Sequence, residues 1–286
     1  MSEQKTIESF FQDPNSSSVV SIKAQQITAP TCKGSDLMPE ELMQSGGMLR
    51  VEELNIDGSY SMEKVIAQIR DGLNKDFRDA VAEAREDDIA ALRFGGLVFD
   101  DYIKPIWEEN GEYFHTLENL PLLTDKNYQV GGCTNLHGAI IEGQTRAIKF
   151  AATQKAQFGI DPDVDNITIS DGYDNINAHS ADEVRQMIQG SRKDRVRNIF
   201  FFYDTAGIGM DQDNPNHPFQ QALALGYDPE MIQIFEQKPG ETEKEHKARF
   251  RRMMRVLSKI SAAKGTSAVQ AGAAVAAAEE DDEDYL

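Results

Sequence analysis

Three short segments carry hard oxygen donors at spacings suited to a cation. "DGSYS" places Asp57, Ser59 and Ser61 on alternate positions. In an extended or turning backbone, alternate side chains point the same way, so one carboxylate and two hydroxyls can face one side. "GGCTNL" places Thr134 behind Gly131 and Gly132, which let that loop approach closely. "SDGYDN" places Asp171 just beyond an aliphatic segment. Two carboxylates balance a divalent charge, and neutral hydroxyls fill further positions without repulsion. Such a set suits Mg2+, which takes octahedral oxygen coordination and keeps some water. Each segment alone has a plainer reading. Ser61 and Thr134 are of the type that caps helices, and Asp171-Gly172 is a turn composition. All three in order, each at the end of a plausible strand, argue for one shared site.

The elements that must position these oxygens alternate in type. "LRVEELNI" reads as a strand ending at Asp57. Met62, Val65, Ile66, Ile69 and Leu73 then share a helical face, which Phe77 and Val81 extend past an irregularity at Gly72. "ALRFGGLVFDDY", Ala91 to Tyr102, reads as the next strand, its glycine pair marking a bulge or bend. "GEYFHTL" reads as a short strand. A helix follows Thr134, with Leu136, Ala139, Ile140, Gly143, Ala147 and Ala151 on one face. "NITIS" is a strand leading into Asp171, and Ser180 with Glu183 forms a capping box for the helix after it. "VRNIFFFYD" has the run of a doubly covered strand. "HPFQQALALG" is a short helix, "EMIQIFE" an edge strand or helical turn, and Phe250, Met253, Met254, Leu257 and Ile260 mark a last amphipathic helix. This alternation predicts an α/β fold: a Rossmann-like, doubly wound, mostly parallel sheet flanked by helices. Ligands in such folds sit beyond the carboxyl ends of the strands, where strand order reverses.

The three oxygen-bearing segments resemble the metal-ion-dependent adhesion site of von Willebrand factor type A domains. "DGSYS" is similar to that family's D-x-S-x-S, "GGCTNL" to its threonine loop, and "SDGYDN" to its Asp-Gly loop. In element order the resemblance runs from about Leu49 to Ile260. It implies a bound Mg2+, with Mn2+ or Ca2+ as substitutes, held by Asp57, Ser59, Ser61, Thr134 and Asp171. It also implies a non-catalytic module whose protein partner supplies an Asp or Glu to the metal. The resemblance gives Asp174 no role.

A second motif stands near the start. "QKTIESFF" fits Q-x-x-(I/L/M)-x-x-F-F and resembles the PIP box, by which replication and repair proteins dock on sliding clamps. One helical turn would gather Ile7, Phe10 and Phe11 into an apolar plug, with Gln4 free to hydrogen-bond beside it. The alternative is that these side chains staple the arm onto the domain. Residues 1–47 read as an irregular arm, 48–261 as the domain, and 262–286 as a low-complexity tail ending in the acids Glu279 to Asp284, a solvated charge block.

Composition narrows the function further. With 29 basic and 48 acidic residues the net charge is −19, a field that repels nucleic acid and favours cations and basic partners. Two cysteines build no disulfide framework, which points to an intracellular compartment, cytoplasm or nucleus. No run is long enough to span a bilayer. The segment from Asp161 to Asn166 begins like a calcium loop but lacks its glycine and terminal glutamate, and the five histidines show no zinc spacing. The expected function is a metal-dependent adaptor tethered to a sliding clamp in replication or repair. The alternatives are an adaptor of an ATP-driven (AAA+) chaperone or assembly machine, and a metal-dependent phosphoryl-transfer enzyme.

Overall fold

The computed structural model describes residues 48–85, 91–108, 111–172, 174–204 and 213–236, with 242, 244–245, 248, 250 and 254. The clamp-binding motif (Gln4, Ile7, Phe10, Phe11), the acidic tail, and Met253, Leu257 and Ile260 lie outside the described residues.

Six strands form one sheet in the order β3-β2-β1-β4-β5-β6. They are β1 (Leu49–Asp57), β2 (Ala91–Phe99), β3 (Ile103–Pro105), β4 (Asp163–Ser170), β5 (Val196–Asp204) and β6 (Ile232–Glu236). All neighbours pair parallel except β2 and β3, which are antiparallel. The chain leaves β1 towards β2 on one side and returns to β4 on the other. Strand order therefore reverses between β1 and β4, and the carboxyl ends of these two strands are where a ligand crevice is expected.

The helices are α1 (Ile66–Asp71), α2 (Arg78–Arg85), α3 (Leu136–Phe158), α4 (Ala181–Ser191) and α5 (Pro218–Ala224). One sheet face carries Leu54, Ile56, Phe94, Ile167, Ile169, Ile199 and Phe201, buried with Ile69, Leu73, Phe77 and Val81 of the first helical region and with Phe250 and Met254. The other face is covered by α3 and α4: Leu136 and Ile140, with Val184, Met187 and Ile188, pack with Phe99, Phe200 and Phe202. Because both faces are covered, β1 and β4 are buried along their whole length, polar residues included. Asn55, Asn166 and Asn198 meet this demand in part by forming a cross-strand ladder, with bonds of 2.7 and 3.0 Å, while Asn55 Oδ1 and Asn198 Nδ2 are left without a partner among the described residues. No helix among the described residues is long and apolar enough to cross a membrane.

Several local expectations are corrected. Gly95 and Gly96 make no bulge, since β1 and β2 stay in register from Leu49–Ala91 to Asp57–Phe99. The glycines are there for space: a Cβ would lie 2.6 Å from both Glu53 and Phe114 at Gly95, and 2.7 Å from Trp107 at Gly96. The strand ends at Phe99 rather than continuing to Tyr102, and the chain turns back as the short β3. "GEYFHTL" contributes isolated bridge residues, among them His115 paired with Phe94, instead of a strand. The helical stretch after β1 runs in four pieces: a 3-10 turn (Tyr60–Lys64), α1, a π-helical segment (Gly72–Phe77) and α2. The glycine at 72 has a packing cause, because a Cβ there would come within 2.3 Å of the Phe250 ring. The Ser180–Glu183 capping box is present in both directions, and "EMIQIFE" supplies the edge strand β6.

Candidate metal centre

Asp57 is the last residue of β1 and Asp171 follows the last residue of β4, so the order reversal sets them side by side. Ser61 Oγ donates to Asp171 Oδ1 at 2.7 Å, across 110 positions of sequence. The Ser59 and Ser61 hydroxyls lie 2.9 Å apart. With the Ser61 proton on Asp171, Ser59 is the donor of that pair. Asp57 Oδ1 accepts from the Ser59 backbone N–H at 2.8 Å. Four of the five expected oxygens thus form one connected group.

Thr134 reaches the same place through its loop. A Cβ on Gly172 would sit 3.6 Å from Thr134 Oγ1, so the hydroxyl lies against the Asp171 turn. Asn175 fastens the two segments: its Oδ1 accepts from Thr134 N–H at 2.7 Å, and its own N–H donates to the Thr134 carbonyl at 3.0 Å. The loop is anchored on its other side by Asp101, whose Oδ1 accepts from Cys133 N–H at 2.8 Å. Gly132 makes this turn with φ of +65°, and a Cβ there would also strike Asp101 at 2.6 Å. The capping alternatives for the serines and the threonine are set aside by the geometry. Ser59 occupies the N-cap of the 3-10 turn and Asn135 that of α3, and neither side chain makes a cap bond.

The group is graded from floor to mouth. Asp57, Ser59 and Thr134 are buried, Asp171 is half-buried, and Ser61 is exposed. Burial raises the Asp57 carboxyl to about 6, against the lowering effect of its bonds from Ser170 and Ser59; the nearby Asp171 charge adds to the rise. A desolvated carboxylate beside a second carboxylate is an arrangement that a divalent cation relieves. The donor set is all oxygen, two carboxylates and three hydroxyls, which fits Mg2+ or Mn2+ and gives a soft metal no thiolate or imidazole. Among the described residues, no group of three or more His, Cys, Asp or Glu side chains gathers as an alternative metal site. The residues present therefore fit the expected cation.

Supporting residues emerge that the motifs did not reveal. Ser170 Oγ donates to Asp57 Oδ2 at 2.5 Å and accepts from Gly172 N–H at 3.1 Å, joining both carboxylate segments. Tyr128 donates its hydroxyl proton to the Asp57 carbonyl at 2.8 Å. Asp174, without a role in the sequence reading, accepts from His137 N–H at 3.0 Å and Asn177 N–H at 2.7 Å, holding its loop over the start of α3. Ser170 had one available signal, its place directly before Asp171. Tyr128 and Asn175 had none, because their contacts depend on how loops cross. Ser170→Ala removes a bond that orients the Asp57 carboxylate, and for a metal-binding carboxylate partners of this kind are worth about 10–100-fold in affinity. Magnesium titration of Ser170→Ala by calorimetry is expected to show a loss in that range, with the fold kept by circular dichroism.

The fold and site define a class: an open, mostly parallel α/β domain with an oxygen-lined site at its topological switch point. No family model matches the chain, and no curated protein sequence matches it. Solved structures share its outline. A von Willebrand factor type A protein from Catenulispora acidiphila is 13% identical, with TM-score 0.44, over 75% of this chain and 43% of that one. Proximal thread matrix protein 1 from the mussel byssus is 12% identical, with TM-score 0.48, over 74% and 48%. Manganese-loaded TRAP protein of Plasmodium vivax is 16% identical, with TM-score 0.38, over 66% and 68%. The chain thus spans less than half the length of the first two. These likenesses assign no role to any residue here; the fold rests on this chain's own strand order and the site on its own contacts.

Proposed function

We propose that this chain is a von Willebrand factor A-like adaptor that binds a protein partner through a divalent cation. Asp57, Ser59, Ser61, Thr134 and Asp171 would hold Mg2+, and the cation would supply an open position for a partner's Asp or Glu. The observation that carries this reading is the link from Asp57 through Ser59 and Ser61 to Asp171, which joins oxygens from the ends of two strands. The group consists of carboxylates and hydroxyls that engage one another, with Asp57 accepting from Ser59 and Ser170. Calorimetry with MgCl2 tests the metal half: the chain binds one equivalent and Asp171→Ala binds none. Equal binding by both overturns the assignment.

The partner setting we propose is intracellular, at a sliding clamp in DNA replication or repair. Its support is the fit of Gln4, Ile7, Phe10 and Phe11 to the clamp-docking pattern. A peptide spanning Gln4–Asp13 is expected to bind a clamp, and Phe10→Ala/Phe11→Ala to abolish that binding in fluorescence anisotropy. Unchanged binding by the altered peptide removes the clamp from this account and leaves the metal site untouched.

A further inference from the structure

Large apolar side chains that stand exposed are few among the described residues: Met48, Tyr60, Tyr102, Leu122 and Ile176. Three of them belong to the loops that build the candidate metal centre. Tyr60 lies between Ser59 and Ser61 and is 68% exposed. Tyr102 follows the Asp101 that anchors the threonine loop and is 67% exposed. Ile176 follows the Asn175 that clasps Thr134 and is 36% exposed. Backbone contacts fix all three loops to one hub. Tyr60 N–H donates to the Gly132 carbonyl at 3.4 Å, Asp101 accepts from Cys133 N–H, and Asn175 N–H donates to the Thr134 carbonyl. The three exposed side chains therefore belong to loops joined at one hub, on the end of the sheet where Ser61 is exposed.

Exposed aromatic groups cost solubility, and tyrosine is a residue type that supplies binding energy at interfaces. That three of the five stand on the loops of the candidate metal centre is the pattern of a docking surface. The charge around it identifies the occupant. Asp100, Asp101, Asp171 and Asp174 all lie on these same loops, and the chain as a whole carries −19. A partner rich in acids would be repelled on approach, so basic neighbours beside the carboxylate it offers to the metal favour docking. Lys104, over the Tyr102 ring at 5.4 Å, already shows a cation resting on that aromatic face.

We propose that Tyr60, Tyr102 and Ile176 form the apolar rim of a docking surface around the metal centre. Its occupant is a segment of another protein that carries one carboxylate flanked by Arg or Lys and by an aromatic or aliphatic side chain. This rests on the metal-adaptor reading and adds the partner's chemistry to it.

The test is selection of a displayed peptide library with a fixed central aspartate, on the full chain with saturating Mg2+. Peptides with basic and apolar neighbours of the aspartate are expected to be enriched, and their binding is lost in EDTA. The leading peptide, made synthetically, is expected to bind Tyr60→Ala/Tyr102→Ala about tenfold more weakly, as interface tyrosines do. The Mg2+ affinity of that variant, read separately by calorimetry, stays at the parent value. If Mg2+ itself does not bind, the underlying reading fails and the rim falls with it. If Mg2+ binds but the flanking positions are random, or the double variant binds the peptide as well as the parent, the rim proposal alone is overturned. Binding that emerges only after deletion of Glu279–Leu286 makes this chain's own acidic segment the occupant, and also overturns it.

Discussion

Replacing Asp57 by asparagine is expected to make the metal-free domain more stable and, at the same time, indifferent to magnesium. The two effects have one origin. Asp57 is fully buried, and burial lifts its carboxyl from the usual 3.8 to about 6. A carboxyl raised in the folded state binds more protons there than in the unfolded chain between those two values. Stability of the metal-free domain therefore falls as pH rises from about 4 to about 6, then stays low. The gap corresponds to roughly 3 kcal/mol. Asparagine carries no charge and keeps an oxygen for the Ser59 N–H, while its amide faces Ser170 Oγ. After some loss in these bonds, a net gain of about 1–2 kcal/mol is expected at about pH 7.5 in EDTA, or a few degrees in melting temperature. At about pH 4 the gain disappears. Magnesium reverses the order: at about a hundred times its dissociation constant it adds about 2.7 kcal/mol to the parent and nothing to Asp57→Asn. Calorimetric melting with and without Mg2+ reads both effects. A variant less stable than the parent in EDTA at neutral pH would show that Asp57 serves packing alone.

The second large effect is expected at Gly143, within α3 and outside the oxygen-bearing segments themselves. There α3 crosses the sheet so closely that a Cβ would lie 2.0 Å from Asn55 Oδ1. Asn55 cannot swing aside cheaply, because its amide is bonded to Asn166 at 2.7 Å and the residue is fully buried. Gly143→Val must therefore push the helix outward or break the asparagine ladder. Overpacking of this kind costs about 3 kcal/mol. It also reaches the site: α3 begins two residues after Thr134, and Asn55 lies two residues before Asp57 on the same face of β1. Lifting α3 draws the threonine loop away from the carboxylates, with an expected loss of about tenfold in Mg2+ affinity, on the order of 1.4 kcal/mol. Adding Asn55→Ala makes room, so the double variant is expected to recover part of both losses in denaturant melts and Mg2+ titration. Additive losses would mean that the two residues are uncoupled.

How much of this was legible in the sequence follows from the range of the interactions involved. The parallel sheet was readable because β1, β4 and β5 are covered on both faces and their apolar residues announce it. The candidate group was readable because Asp57, Ser59 and Ser61 are local in sequence and Asp171 directly follows β4; Thr134 was expected at a strand end but stands in the long loop between β3 and α3. What stayed hidden depends on contacts between distant segments. The Gly95-Gly96 pair looks like a bulge until Trp107, Tyr113 and Phe114 are seen packed against it. The need for glycine at 72 is set by Phe250, far along the chain. The clasp of Asn175 on Thr134, and the hydroxyl of Tyr128 on the Asp57 carbonyl, are made by loops whose crossing no local pattern encodes. The exposed rim of Tyr60, Tyr102 and Ile176 was equally hidden, since isolated aromatic residues in a sequence look the same whether they pack inside or face solvent.

The central claim is that five oxygen-bearing side chains surround one divalent cation. Crystals of the full chain grown with Mn2+ test it most directly, through anomalous diffraction at the manganese edge. A single strong peak within coordination distance of oxygens from Asp57, Ser59, Ser61, Thr134 and Asp171, directly or through ordered water, is the predicted result. An absent peak at saturating Mn2+, or one held by other residues, would contradict the account.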